Sequence, residues 1–376
     1  MDFRLTEGQE LFRQEVARFV DSEVFPIAEE ADLKAEFPRA MFRRMAELGY
    51  FGLRYPEECG GADADMVTYC LFCEEVARGS LAIAAVAAMQ SLMGTHFVYR
   101  HGSEEHRRNY LLPAIRGEKV GTFALTEPNA GSDLSGITTF ARRVEGGYRL
   151  TGTKTWVTNA PVADFLTVAA KTEKSRGLEH IALFLVDRDC PGVTLSRKIE
   201  KLGVRAAETG EISLDEVYVP EENLLGGEGR GVEQVGTILS EIRVMTGALS
   251  LGLARAAYEA AEKYARERVA FGKPIREFQA INFKLAEMRT AIHAARLMVY
   301  EAAWRIDQKL PVMREAAMTK LFASEAANRI ADEATRIFAS YGFAMEFPVQ
   351  RYFRDARFLL LGAGTSEILH LIIGKD

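Results

Sequence analysis

Three tracts of different periodicity predict a mainly α-helical protein with a central β domain. Apolar residues recur at helical spacing to about residue 120 and alternate in short runs as far as 231. From 232 the helical spacing returns and holds almost to the end. At 376 residues the chain is also long for one hydrophobic core. The expected divisions are an N-terminal all-α domain over 1–120, a small antiparallel β domain over 121–231 and a C-terminal four-helix bundle over 232–376.

The first helix is announced by Thr6-Glu-Gly-Gln9, a capping box in which each side chain can satisfy an orphan backbone N–H. Leu11, Phe12, Val16, Phe19 and Val20 make the apolar stripe behind it. A second helix reads from Pro38 through Met41, Met45 and Leu48 to a stop at Gly49, and Pro56-Glu-Glu-Cys-Gly-Gly61 reads as a loop. Helices follow from Met66 to Arg78, Leu81 to Tyr99 and Glu104 to Ile115. Strands are predicted over Thr122 to Leu125, Tyr148 to Thr151, Phe165 to Ala169, Ile181 to Val186, Val193 to Ile199 and Glu211 to Val219. The glycine-rich stretch from Val219 to Gly231 marks a boundary. Beyond it, four helical segments cover roughly 232–270, 279–309, 312–340 and 350–373, an up-and-down bundle.

Composition narrows the function. Hydrophobic residues at 48% and charged residues at 27% describe a globular protein, and a net charge of −6 argues against binding along a nucleic-acid backbone. No basic and apolar leader precedes the first helix, and the apolar run from Leu81 to Met89 is too short to span a bilayer. Cys70-x-x-Cys73 has no second cysteine pair, so it and the lone Cys59 and Cys190 read as thiols rather than zinc or redox centres. A reducing cytoplasm fits this usage. Gly227-x-Gly229-x-Gly231 falls one residue short of dinucleotide-fold spacing, and no βαβ pattern surrounds it. His96, His101 and His106 are five apart and do not share a helix face as metal ligands would.

Phe123-Ala-Leu-Thr-Glu-Pro-Asn-Ala-Gly-Ser-Asp133 is the most informative stretch. A short strand breaks at Pro128 into a small-residue loop, which can offer backbone N–H groups and hydroxyls to the phosphates or carbonyls of a large cofactor. Taken alone, it is equally a strand, a turn and a helix cap.

The companion strings decide between these. They are Pro56 to Gly61, Gly152-Thr-Lys-Thr-Trp-Val-Thr-Asn159, Val219-Pro-Glu-Glu-Asn-Leu-Leu-Gly226, Arg268-Val-Ala-Phe-Gly-Lys-Pro-Ile-Arg-Glu-Phe-Gln279, Arg354-Asp-Ala-Arg357 and Gly364-Thr-Ser-Glu-Ile368. In this order and spacing the chain resembles the acyl-CoA dehydrogenase family along essentially its whole length.

The resemblance implies FAD. Phe123, Leu125, Thr126, Trp156 and Thr158 would surround the isoalloxazine ring, with Gly131 and Ser132 at the pyrophosphate. Arg268, Ala270, Phe271, Ile275, Phe278 and Gln279 would hold the adenine end of a neighbouring subunit's cofactor, implying a homodimer or homotetramer. Ala339, Ser340, Thr365 and Glu367 are further cofactor positions by the same likeness. The implied substrate is an acyl-CoA thioester, with Gln90, Ser91, Met93, Ser132, Arg243, Ala363 and Gly364 along its path, and an electron-transferring flavoprotein is the family's usual acceptor.

Departures from the family pattern bear on the reaction. The family's base, a glutamate before the C-terminal Gly-Thr, is replaced by Ala363, and Gly362 stands where an aromatic residue is common. The backbone N–H of residue 363 remains available to polarise a thioester carbonyl. Some members carry the base directly before the arginine matching Arg243; here that residue is Ile242, and Glu241 is the candidate base in its place, about 100° round the helix and needing a local distortion to point inward. Arg336-Ile-Phe-Ala-Ser-Tyr-Gly-Phe343 also departs from the usual Gln and Gly-Gly pattern. The favoured expectation is a thioester-active flavoenzyme with an atypical reaction: dehydrogenation of a cyclic or unsaturated acyl-CoA, enoyl-CoA reduction or desulfination. A flavin-dependent oxidase or monooxygenase on a non-CoA substrate, and a non-catalytic flavoprotein, are the alternatives.

Overall fold

The computed structural model describes residues 4–174 and 177–375. Its first part is helical: α1 (Glu7–Phe19), α2 (Phe25–Lys34), α3 (Arg39–Glu47), α4 (Met66–Gly79), α5 (Leu81–Ala88), α6 (His96–His101), α7 (Glu104–His106) and α8 (Leu112–Ile115). The capping box forms as expected: Gln9 N–H donates to Thr6 Oγ1 (3.2 Å) and Thr6 N–H to Gln9 Oε1 (3.0 Å). A π-helical turn, Met89–Met93, carries the chain from α5 towards α6.

The central sheet runs β1 (Gly121–Ala124), β2 (Phe140–Val144), β3 (Gly147–Thr158), β4 (Phe165–Lys171), β5 (Ile181–Asp187), β6 (Val193–Lys198), β7 (Thr209–Pro220) and β8 (Leu224–Leu225). Its strand order is β6-β7-β3-β2-β4-β5-β8, with β1 also on β4. This corrects the expected antiparallel domain, because β1 pairs in parallel with β4 over Gly121↔Phe165 to Ala124↔Val168 and β2 meets β4 in parallel at Phe140↔Lys171. Pairing direction leaves no mark on β4, which is buried along its whole length and lacks alternation. Strand β2 was not predicted; Phe-Ala-Arg-Arg-Val keeps two exposed arginines and too few apolar positions to show a period.

The C-terminal part contains α9 (Gly231–Glu267), a two-residue ribbon of β9 (Val269–Ala270) and β10 (Lys273–Pro274), then α10 (Gln279–Asp307), α11 (Met313–Phe338), α12 (Pro348–Leu361) and α13 (Ser366–Ile373). The predicted last helix is therefore two, broken at Gly362-Ala363-Gly364. Helix α9 is the spine, packing on α4, α10 and α11. A Cβ at Gly252 would lie 2.1 Å from the Glu74 carbonyl oxygen, so glycine there lets α9 and α4 cross closely.

Buried charges lock this crossing. Arg255 of α9 donates to Glu74 and Glu75 of α4 (2.7 Å each), while Arg296 (2.8 Å) and the Tyr300 hydroxyl (2.6 Å) of α10 also reach Glu74. By length and composition alone, Leu81–His101 and Gly231–Glu267 could cross a membrane, both being longer than the Leu81–Met89 run. Their apolar windows are 94% and 78% buried inside the protein, so that surface is already spent on the core.

Candidate active site

The Thr-Glu-Pro loop is held from below by a buried ion pair. Lys154 Nζ lies 2.7 Å from Glu127 Oε1 and also donates to the Leu125 carbonyl (3.0 Å). The Glu127 carboxylate further accepts from Thr138 N–H (2.7 Å), Thr138 Oγ1 (2.8 Å) and Thr139 N–H (3.0 Å). Burial pushes the Glu127 carboxyl up, but Lys154 and the threonine donors outweigh it and hold it at about 2. Sequence reasoning quoted both residues without a role, since nothing in their separation signals that they meet.

The loop and the end of β3 are stitched together by Thr155 N–H to the Thr126 carbonyl (2.9 Å) and Thr122 Oγ1 to the Thr158 carbonyl (2.5 Å). Phe123, Leu125, Thr126 and Thr158 are half-buried, and the Trp156 side chain stands 60% exposed. Phe123 is backed by the Phe97 ring, 4.7 Å away between centroids. Gly131 and Ser132 are exposed, and a Cβ at Gly131 would meet nothing closer than Thr126 Cγ2 at 4.0 Å. The result is an open apolar face edged with hydroxyls. It suits a flat, heteroatom-rimmed ring.

Four of the predicted site residues hold positive φ without being glycine: Trp156 (57°), Phe271 (51°), Ala339 (53°) and Ala363 (59°). Such conformations cost of order 1–3 kcal/mol each and collect where function requires them.

The second cluster forms where α12 gives way to α13. Gly362 N–H closes the helix on the Phe358 carbonyl (3.0 Å), and Gly364 follows at φ 99°. Thr365 caps α13, its Oγ1 accepting from Ile368 N–H (3.4 Å), and Glu367 is exposed in the first turn. The Ala363 N–H makes no hydrogen bond among the described residues. Lys320, fully buried on α11, clamps the turn by donating to the carbonyls of Gly364 (2.7 Å) and Leu360 (3.4 Å). Burial lowers its ammonium to about 8; Glu325 opposes this shift, and nearby Arg243 adds to it. Arg243 is 7% exposed, has an unpartnered Nε and forms no hydrogen bond or ion pair among the described residues.

Three predicted residues make contacts within the protein that the sequence did not announce. Gln90 is buried with its amide consumed by backbone: Nε2 donates to the carbonyls of Ala114 (2.9 Å) and Lys119 (2.8 Å), and Oε1 accepts from Gly121 N–H (2.9 Å). Ser91 Oγ is bound to the Ala87 carbonyl (2.7 Å) and the Tyr69 hydroxyl (2.8 Å). Both side chains tie the helical part together through these bonds. Glu241, offered as a base, instead pairs with Arg54 (2.7 Å) in a small cavity lined by Tyr55, Leu92, His96, Tyr99 and Arg100. Burial and the neighbouring Arg100 and Arg54 push His96 down to about 3, so this wall is neutral at that position.

The residues expected at the adenine end form a separate surface patch. Phe271 is 95% exposed and meets Phe278 edge-on at 6.0 Å, while Arg268 lies over the Tyr341 ring at 5.7 Å. Ala270 and Ile275 are half-buried beside them, and Gln279, Ala339 and Ser340 are exposed. Arg336 turns along its own helix to Asp332 (2.8 Å). No hydrogen bond or ring contact joins this patch to the Trp156 face among the described residues.

Models of the acyl-CoA dehydrogenase N-terminal, middle and C-terminal domains match residues 6–118, 122–217 and 229–376. The chain belongs to the acyl-CoA dehydrogenase family. The structure of butyryl-CoA dehydrogenase from Megasphaera elsdenii superposes with a TM-score of 0.96 at 36% identity, covering 100% of this chain and 99% of that one. Benzylmalonyl-CoA dehydrogenase of Aromatoleum aromaticum is 51% identical over 377 residues, covering 100% of this chain and 99% of its own length. An FAD complex of PigA matches with a TM-score of 0.96 at 27% identity, covering 99% and 98%. Acyl-CoA dehydrogenases are FAD-dependent oxidoreductases acting on CH–CH groups of CoA thioesters, and the open face at Trp156 fits the flavin ring.

Proposed function

We propose that this acyl-CoA dehydrogenase carries out a decarboxylative α,β-dehydrogenation of a 2-carboxyacyl-CoA. The observation that carries this reading is the turn at Ala363: its backbone N–H, without a partner among the described residues, can serve a thioester carbonyl, yet the Ala363 side chain cannot take an α-proton. Ile242 is apolar and Glu241 is occupied by Arg54, so the other position on α9 supplies no base either.

A carboxylate on Cα removes the need for one. Taking CO2 and a hydride from R-CH2-CH(COO⁻)-CO-S-CoA leaves R-CH=CH-CO-S-CoA, balanced in atoms and charge with no proton to abstract. The C–C electron pair released with CO2 becomes the enolate pair that a base would otherwise generate. The Ala363 N–H stabilises that charge, as an oxyanion donor does. Among base-free reactions this one is favoured because the benzylmalonyl-CoA of the relative's name carries a carboxylate on that carbon.

Bound FAD supplies the hydride acceptor. Phe123, Leu125, Trp156 and the hydroxyls of Thr126 and Thr158 would hold its ring, with Gly131 and Ser132 at the pyrophosphate. Arg268, Phe271, Phe278 and Gln279 would take the adenosine end in a second copy of the chain. A cytoplasmic oligomer reoxidised by an electron-transferring flavoprotein completes the reading.

The test is anaerobic. Benzylmalonyl-CoA should bleach the flavin and release one equivalent of CO2, while 3-phenylpropionyl-CoA should leave it oxidised. Equal bleaching by both would mean that another base operates and would sink the proposal.

A further inference from the structure

We infer that Arg243 is the receptor for the substrate's own carboxylate. This rests on the decarboxylative reading above and names the group that would select its substrates.

Arg243 breaks a pattern that most arginines of the interior keep; Arg351 also has an unpartnered Nε, but its guanidinium lies over the Tyr352 ring at 5.4 Å. Arg54 faces Glu241, Arg78 faces Glu75 and Asp21, Arg255 faces Glu74 and Glu75, and Arg354 faces Asp32. A buried cation without a counter-charge is costly to fold around, which is why such groups are paired. Arg243 lies on α9 at 7% exposure with an unpartnered Nε and no carboxylate against it among the described residues. A charged neighbour is Lys320, of the same sign and already committed to the carbonyls of Gly364 and Leu360. Glu325 and Glu367 also act on Lys320, and Glu325 accepts from the Ser366 hydroxyl (2.7 Å). The guanidinium therefore lies within electrostatic reach of Lys320, the residue that clamps the turn at Ala363, with its own Nε unspent.

The missing partner is an anion carried by the ligand. In a malonyl-type thioester the carboxylate is attached to the carbon next to the carbonyl, so seating the carbonyl on the Ala363 N–H brings the carboxylate into the same small volume. A planar fork recognises a carboxylate through paired hydrogen bonds, which a lysine does not reproduce. Plain acyl-CoA esters leave Arg243 unpaired and bind less well. Because the contact is made before CO2 departs, its loss raises KM more than it lowers kcat.

The experiment compares malonyl-CoA with acetyl-CoA on FAD-loaded protein, reading affinity from the flavin absorbance shift. Malonyl-CoA has no β-hydrogen, so neither ligand reduces the flavin and the result does not depend on whether oxidation occurs. Wild-type protein should bind malonyl-CoA about 30-fold or more tighter than acetyl-CoA. Arg243→Met should bring the ratio near one without changing FAD content, and Arg243→Lys should restore part of it. A wild-type ratio near one, or one unchanged in Arg243→Met, would overturn the assignment. Loss of FAD from Arg243→Met would give the guanidinium to the cofactor and overturn it equally. Should Arg243→Met not fold, an undiminished ratio in Arg243→Lys has the same force. Failure of benzylmalonyl-CoA to release CO2, with the malonyl-CoA ratio kept and Arg243-dependent, would sink the reaction and leave the receptor standing.

Discussion

Ala363 holds φ 59°, a conformation that costs an alanine about 1–2 kcal/mol, yet glycine is not used there as it is at 364. Two residue-scale predictions follow from this turn and its neighbour. Ala363→Glu places a carboxylate where the thioester Cα would lie and should introduce anaerobic flavin bleaching by butyryl-CoA. No bleaching, with butyryl-CoA still bound, would show that the thioester is posed away from the turn. Arg243→Met removes an unpaired buried cation and should raise the Tm of ligand-free, FAD-loaded protein while weakening malonyl-CoA binding. A lower Tm would mean that the guanidinium has a stabilising partner. Ala363 and Ile242 were readable from sequence because absence of a base is a fact about residue type. The structural role of Gln90 was not readable, because its three backbone partners at Ala114, Lys119 and Gly121 are brought to it only by the fold.

At the scale of elements, the loop after β1 and the end of β3 act as one unit through Glu127 and Lys154. The Glu127 carboxyl is lowered from 4.5 to about 2, so folding favours its ionised form. That stability is fully present above roughly pH 4.5 and is lost as pH falls towards 2. Thermal melts between pH 5 and 2.5 should therefore fall more steeply for the native protein than for Glu127→Gln; parallel slopes would place the acid-sensitive group elsewhere. Helices were legible here because caps and 3.6-residue stripes are local, and the Thr6 box and the α11 stripe are both present. The parallel partners of β4 were not, because a strand buried on both faces carries no record of which neighbour it meets. The break between α12 and α13 was hidden for a related reason: Gly-Ala-Gly reads as flexible helix until Lys320 is seen to hold the turn open.

The whole molecule leaves large apolar groups in water on its C-terminal part: Phe271 at 95%, Phe343 at 94%, and Phe283, Trp304 and Met345 at half or more. Exposed aromatic surface of this kind marks an interface. Phe271 is moreover held at positive φ, so its outward ring is imposed by the backbone rather than left over from folding. If this patch receives the adenosine end of a second copy's cofactor, assembly and FAD retention are one event. Phe271→Asp should then shift sedimentation towards smaller species and release FAD on dilution together. The Trp156 face would remain intact, and excess FAD should partly restore assembly by mass action. Dissociation with FAD retained would instead separate the two surfaces and confine the cofactor to one chain.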